Sequence, residues 1–253
     1  YKNYLYTVIE IDGDEKEKSG YVSAYELKGN EVKLINSVIS YGASPCFLVV
    51  DESRDILYVA NYSGGSFVAF KIEEDGKIGQ RLYYQKYEDN SRVHHIQFSK
   101  DYKRVYIIDL GTDCIIEYEI IYNNENLNLK EVNKFYFKEK TGPRHMVIDE
   151  KENIYVVTEK SCELYKLGHD SQGKLIVIEN KSILTDGTKK EENFTGSAIK
   201  IDSEMKNIYV SVREHDSISV FDIKEKNMEL VQNVKCEGKI PRDISLDKEE
   251  KYL

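Results

Sequence analysis

No run of apolar residues in these 253 approaches the roughly 20 that a membrane-crossing helix needs. No membrane partner of that kind is expected, and the opening "YKNYLYTVIE" (1–10) reads as a strand rather than a signal sequence. The first residue is Tyr1, not Met, so further sequence upstream is expected. Blocks of like charge are also missing. The 36 Lys and Arg and the 45 Asp and Glu are mixed along the chain, and the resulting net charge of -9 favours solubility and repels polyanions. Nucleic acid is therefore not an expected partner. The four cysteines (Cys46, Cys114, Cys162 and Cys236) form no CxxC pair and have no histidine at zinc-ligand spacing. They read as reduced core or strand residues of a cytoplasmic protein, with no metal site. No serine lies in a GxSxG elbow and no cysteine has a histidine in its motif, so covalent catalysis is not expected. Helical periodicity is nowhere sustained, whereas the 20 tyrosines and the Val and Ile enrichment suit strands.

What the chain has in place of these features is a repeat. The segments "SPCFLVVDESRDILYVANY" (44–62), "RVHHIQFSKDYKRVYIIDL" (92–110), "GPRHMVIDEKENIYVVTE" (142–159), "GSAIKIDSEMKNIYVSVRE" (196–214) and "IPRDISLDKEEKYL" (240–253) share one layout. Each has a short strand ending in Asp or Ser (Asp51, Ser99, Asp149, Asp202, Asp247), a polar turn, and a second strand carrying tyrosine. From Pro45 through Val93, Pro143 and Gly196 to Pro241 the steps are 48, 50, 53 and 45 residues. Two more β-rich runs follow each pair, as in "SFVAFKIEEDGKIGQRLYYQKY" (66–87), whose Asp75–Gly76 marks a tight hairpin turn.

Four strands at a period of 45 to 50 residues define an all-β fold, a β-propeller of four-stranded antiparallel blades, with about five blades' worth of sequence in a single domain over 1–253. The chain opens inside its first blade and stops at "EKYL", within the strand pattern. The domain is therefore expected to be incomplete at its C-terminal end, with about two blades missing from a larger ring, rather than a closed ring of five.

Register then selects residues. Aligned copies put Cys46, His94, Arg144, Ser197 and Arg242 at the first position of the innermost strand, which in a propeller lies near the axis at one mouth of the channel. A second slot, four residues after the repeat tyrosine, holds Tyr62, Leu110, Glu159 and Arg213. His94, Arg144, Glu159, Arg213 and Arg242 are thus expected to converge. An imidazole, a carboxylate and two or three guanidinium groups suit an anionic ligand and proton transfer, although an arginine and a glutamate in adjacent blades also make plain ion pairs. By strand alternation His95 and His145 are expected to pack between blades. His169 and His215 fall in polar loops without a specific role, and "NYSGGS" (61–66) reads as a hairpin loop rather than a phosphate loop.

The stretches "LYVANYSGGSFVAFKI" (57–72), "SRVHHIQFSKD" (91–101), "DLGTDCIIEY" (109–118), "GPRHMVID" (142–149), "YVVTE" (155–159), "IYVSVREHDSISVFDI" (208–223) and "PRDISLD" (241–247), in this order, resemble the seven-bladed propeller lactonases. That family includes bacterial 6-phosphogluconolactonases and carboxy-muconate lactonising enzymes. The resemblance implies a catalytic group of His94, Arg144, Glu159 and Arg213, with Arg144, Arg213 and Arg242 binding substrate. The implied reaction is hydrolysis of a small anionic sugar lactone, 6-phosphogluconolactone in the simplest case, with no cofactor. A general base needs a pKa near the operating pH, which a histidine meets unaided and a glutamate only when partly desolvated, so His94 ranks ahead of Glu159. A muconate-type cycloisomerase and a non-catalytic binding propeller are the alternatives. The sequence departs from the family at Arg92, Thr158 and Val212, where the family more commonly has His, Asn and Asn.

Overall fold

The computed structural model describes residues 1–12, 19–123, 125–224 and 227–253. Among the described residues there are nineteen strands and no helix. The chain divides into two compact units, Tyr1–Val132 and Asn133–Leu253.

The first unit opens with a three-stranded sheet of β1 (Tyr4–Ile9), β2 (Tyr21–Lys28) and β3 (Glu31–Ile39). Two four-stranded sheets follow. One is β4 (Pro45–Asp51), β5 (Ile56–Asn61), β6 (Ser66–Ile72) and β7 (Ile78–Lys86). The other is β8 (Val93–Phe98), β9 (Arg104–Asp109), β10 (Cys114–Asn123) and β11 (Asn126–Tyr136). The second unit holds β12 (Pro143–Ile148), β13 (Ile154–Thr158), β14 (Glu163–His169) and β15 (Leu175–Ser182), then β16 (Thr195–Ile201), β17 (Asn207–Arg213), β18 (Ser217–Asp222) and β19 (Glu229–Lys235).

Every sheet is an antiparallel meander in sequence order, and the four-stranded ones coincide with the four complete repeats. Strand β1 packs against β4 as β5 packs against β8 and β13 against β16. It therefore holds a second-strand position, as expected for a blade entered after its first strand. Second strands are covered on both faces, which is why they read as continuous apolar runs rather than alternating ones. "ILYVAN" of β5 and "IYVVT" of β13 are buried at every position.

The first unit's core is rich in rings, with Tyr58, Phe67, Phe98 and Tyr118 packed among Val93, Ile96 and Ile107. The second unit relies more on aliphatic residues, with Val157, Leu164, Ile199, Val210 and Phe221 at its centre. Full burial of each such side chain contributes about 1.5–3 kcal/mol.

The recurring Asp or Ser at the end of each first strand has a local cause. Asp149 accepts from the Lys151 and Asn153 amides at 2.8 and 2.9 Å, from Asn153 Nδ2 at 2.7 Å and from the Tyr155 hydroxyl at 3.2 Å. Asp51 binds the Ser53 amide and Arg54 Nη1, and Asp202 the Lys206 and Asn207 amides. A short acceptor side chain folds the turn back on itself and satisfies amides that the ladder leaves over.

At the opposite end every four-stranded sheet carries a bulge. Pairing of first with second strand slips between Pro45 and Phe47, Val93 and His95, Pro143 and His145, and Gly196 and Ile199. The residues passed over are Cys46, His94, Arg144 and, in the last sheet, Ser197 with Ala198. A bulge leaves one residue outside the ladder and re-aims its side chain, so the slot selected by sequence register is a distinct backbone site.

The fifth copy departs from the sequence expectation. Residues 236–253 form no strand. A first strand needs the second strand of its own sheet as ladder partner, and 240–253 have none among the described residues. The segment is held instead by the turn in which Asp247 accepts the Tyr252 amide at 2.7 Å, and by Glu250 on the Ser203 amide at 2.8 Å.

Candidate functional site

In the second unit the bulge after Pro143 turns Arg144 inward, and its side chain is only 2% exposed. Its Nε donates to Glu159 Oε2 at 3.1 Å, and Nη1 donates to the Ser197 carbonyl at 2.9 Å and lies 3.3 Å from His145 Nε2. Glu159 sits in the turn just past β13. Its Oε2 also takes Arg213 Nη2, from the last residue of β17, at 2.8 Å. One carboxylate oxygen thus bridges two guanidinium groups from neighbouring sheets. The two ends differ in access: Arg144 is buried behind the carboxylate, whereas the side chains of Glu159 and Arg213 are 21% and 17% exposed.

Two glycines fix the Glu159 peptide. Its amide donates to the Gly142 carbonyl at 2.6 Å, and its carbonyl accepts the Gly196 amide at 3.1 Å. Gly142 has φ +65°, a left-handed conformation that costs glycine little. A Cβ on Gly196 would lie 2.4 Å from the Thr158 carbonyl, so no larger residue fits there without moving the backbone. Arg213 Nε is buried without a hydrogen-bond partner among the described residues.

The equivalent positions of the first unit carry different chemistry. His94, 5% exposed, meets the half-buried Tyr62 ring edge-on at 5.6 Å. Cys46 Sγ lies 3.8 Å from the His94 carbonyl and 3.7 Å from that of Val93. The side chain in a slot repeatedly reaches the slot carbonyl of the next sheet: Cys46 to His94, Arg144 to Ser197, and Ser197 Oγ to Arg242 at 2.8 Å. Arg242 is thereby pinned by its backbone while its side chain stays exposed.

The structure brings Arg144, Glu159 and Arg213 together, places Arg242 beside Ser197 through its carbonyl, and sets His94 against Tyr62 in the first unit. His95 packs on Phe47 at 4.1 Å, as alternation implies, but His145 contacts the Arg144 guanidinium. Alternation places the two histidines alike but says nothing of the charged neighbour that His145 meets. His215, read as a loop residue without a role, has its Nδ1 2.7 Å from the Ser217 hydroxyl and its ring on Phe194. Burial, and then the nearby Lys235 charge, push its pKa down. The family departures are accommodated locally. Thr158 Oγ1 accepts the Glu163 amide at 2.9 Å, the Arg92 amide donates to Asp109 at 2.7 Å, and Val212 is fully buried.

An open cleft of about 760 Å³ in the first unit is lined by Arg54, Asp55, Glu73, Lys77, Tyr122 and Glu125. It lies at the turn end of the sheets, and none of the slot residues lines it.

With this geometry in place, the comparisons give it a context. The family model described as lactonase, seven-bladed β-propeller matches residues 1–253. A 6-phosphogluconolactonase of Bacillus subtilis strain 168 is 30% identical over 263 residues, covering 98% of this chain and 72% of that protein. A solved structure from Lactobacillus plantarum is 25% identical with a TM-score of 0.86, covering 98% of this chain and 73% of that one. Another, from Bacteroides fragilis NCTC 9343, is 23% identical with a TM-score of 0.84, covers 99% and 72%, and shows the shared fold. The chain belongs to the seven-bladed β-propeller lactonase family, and so to the lactone hydrolases.

Proposed function

We propose that this protein opens a phosphorylated sugar lactone, 6-phosphogluconolactone in the simplest case, to its open-chain acid. The observation that carries this reading is Glu159, a partly exposed carboxylate held by two guanidinium groups, one of them partly exposed beside it. The Bacillus subtilis relative supports the choice of substrate.

Water attacks the lactone carbonyl carbon, negative charge moves onto the carbonyl oxygen, and the C–O bond to the ring oxygen breaks as that charge collapses. The proton lost by the water ends on the new hydroxyl of the opened chain. Arg213 is the group offered to developing or permanent anionic charge, since guanidinium donors aimed at an oxyanion lower the barrier most where water is restricted. Arg144 acts from behind Glu159 and fixes its orientation. Glu159 Oε2 already accepts two donors, so Oε1 is the oxygen left for water or for a substrate hydroxyl. His94 is proposed as the base that takes the water proton, ahead of Glu159, and Arg242 as a weaker, exposed contact to the substrate phosphate.

The test is hydrolysis of freshly made 6-phosphogluconolactone measured against its spontaneous rate, with unphosphorylated gluconolactone and a muconolactone as parallel substrates. Acceleration strongest on the phosphorylated lactone, and lost in Arg213→Ala and His94→Ala, is expected. No acceleration on any lactone, or full turnover in Arg144→Ala, would sink the reading.

A further inference from the structure

His145 follows Arg144 directly across the pairing slip, and its Nε2 lies 3.3 Å from Arg144 Nη1. A guanidinium has five N–H donors and no acceptor. The contact is therefore a hydrogen bond only if Nε2 is the unprotonated nitrogen, which puts the imidazole proton on Nδ1 and leaves the ring neutral. A ring protonated at Nε2 would set N–H against N–H.

The other partners of the guanidinium show what this contact does. Nε faces Glu159 Oε2 at 3.1 Å, and Nη1 donates to the Ser197 carbonyl at 2.9 Å. The planar fork is thus gripped at two different edges, which fixes both its position and its rotation. His145 supplies the grip from the side of β12, and the Ser197 carbonyl supplies it from β16. The corresponding residue of the first unit, His95, lies against Phe47, with ring centroids 4.1 Å apart and the rings tilted.

We propose that His145 is a positioning residue for the lactonase reaction. As the neutral Nδ1–H tautomer it accepts from Arg144 through Nε2 and so holds the guanidinium that orients Glu159. This rests on the catalytic reading of the Glu159 cluster. It predicts that the acceptor atom matters rather than the ring. Glutamine places an oxygen near the position of Nε2, whereas leucine fills the space without an acceptor.

The experiment combines kinetics with nitrogen NMR on the intact chain. His145→Leu is expected to lower kcat/KM by about 10- to 100-fold, the worth of one hydrogen bond to a charged group, and His145→Gln to stay within about threefold of wild type. Long-range proton–nitrogen spectra, assigned by the signal missing from His145→Gln, should show His145 as the Nδ1–H tautomer. The Arg144 Nε–H signal should be protected from solvent exchange in wild type and His145→Gln and lose that protection in His145→Leu. A His145 protonated at Nε2, or an Arg144 signal unchanged in a folded His145→Leu, overturns the inference whatever the activity. If His145→Leu fails to fold, the tautomer and the glutamine variant still decide it. A wild-type protein inactive on every lactone, with the NMR results as expected, would instead overturn the functional reading and leave His145 as the residue that orders this ion cluster.

Discussion

The two units build the same backbone feature and fill it with opposite chemistry. Each four-stranded sheet has a bulge near the start of its first strand. In the first unit the slots hold a thiol and an imidazole beside a tyrosine ring. In the second they open onto a carboxylate with two guanidinium groups. The bulge fixes where a side chain is aimed, and residue type alone decides what it does there. A repeat can therefore keep its ladder and core while single positions are exchanged for function, because a residue outside the ladder contributes little to pairing.

The strongest way to break the contrast is to remove the charge that distinguishes the second unit. Glu159→Gln is expected to lower kcat on 6-phosphogluconolactone by about 10²-fold or more, the cost of misplacing the reacting groups that this carboxylate holds. Arg144→Cys, which gives the second unit the residue that the first has in Cys46, should retain the fold by circular dichroism. It should lose about 10²-fold or more in kcat/KM, as for a lost charge-stabilising donor set.

The cores provide the next test. Phe67→Ala in the ring-rich first unit should cost about 3–5 kcal/mol, and Leu164→Ala in the second about 2–5 kcal/mol, each read as a shift in urea midpoint. Equal loss of both units' signals in both variants would show that the units unfold together. Arg242→Ala should change KM by no more than about fivefold, since an exposed charge contributes roughly 0–1 kcal/mol.

The smallest effect is at a turn of the first unit. The Lys103 amide, then the Ser99 hydroxyl, lower the Asp101 carboxyl pKa to about 2. A carboxyl depressed in the folded state stabilises it above the unfolded-state value, near 3.9, and loses that contribution as pH falls toward 2. Asp101→Asn should flatten the acid limb of stability slightly in that window and leave neutral-pH activity unchanged.

Much of this was legible in the chain itself. Fold class, blade boundaries and the capping acids follow from local pattern, since period, turn chemistry and apolar runs are written in consecutive residues. The slot residues Arg144, Glu159 and Arg213 were also legible, because register converts repeat position into spatial position. Tertiary structure decided the rest. Alternation placed His95 and His145 alike, and the same pairing slip precedes each, yet His95 lies against Phe47 and His145 meets the Arg144 guanidinium, because the neighbour each ring finds is set by the surrounding fold. It decided that residues 240–253 do not form the strand their pattern suggests, since a strand exists only with a partner for its ladder. It also decided that Arg144 is buried behind Glu159 while Arg213 is partly exposed. Two guanidinium groups are alike in sequence, and only the depth at which each sheet presents its arginine separates them.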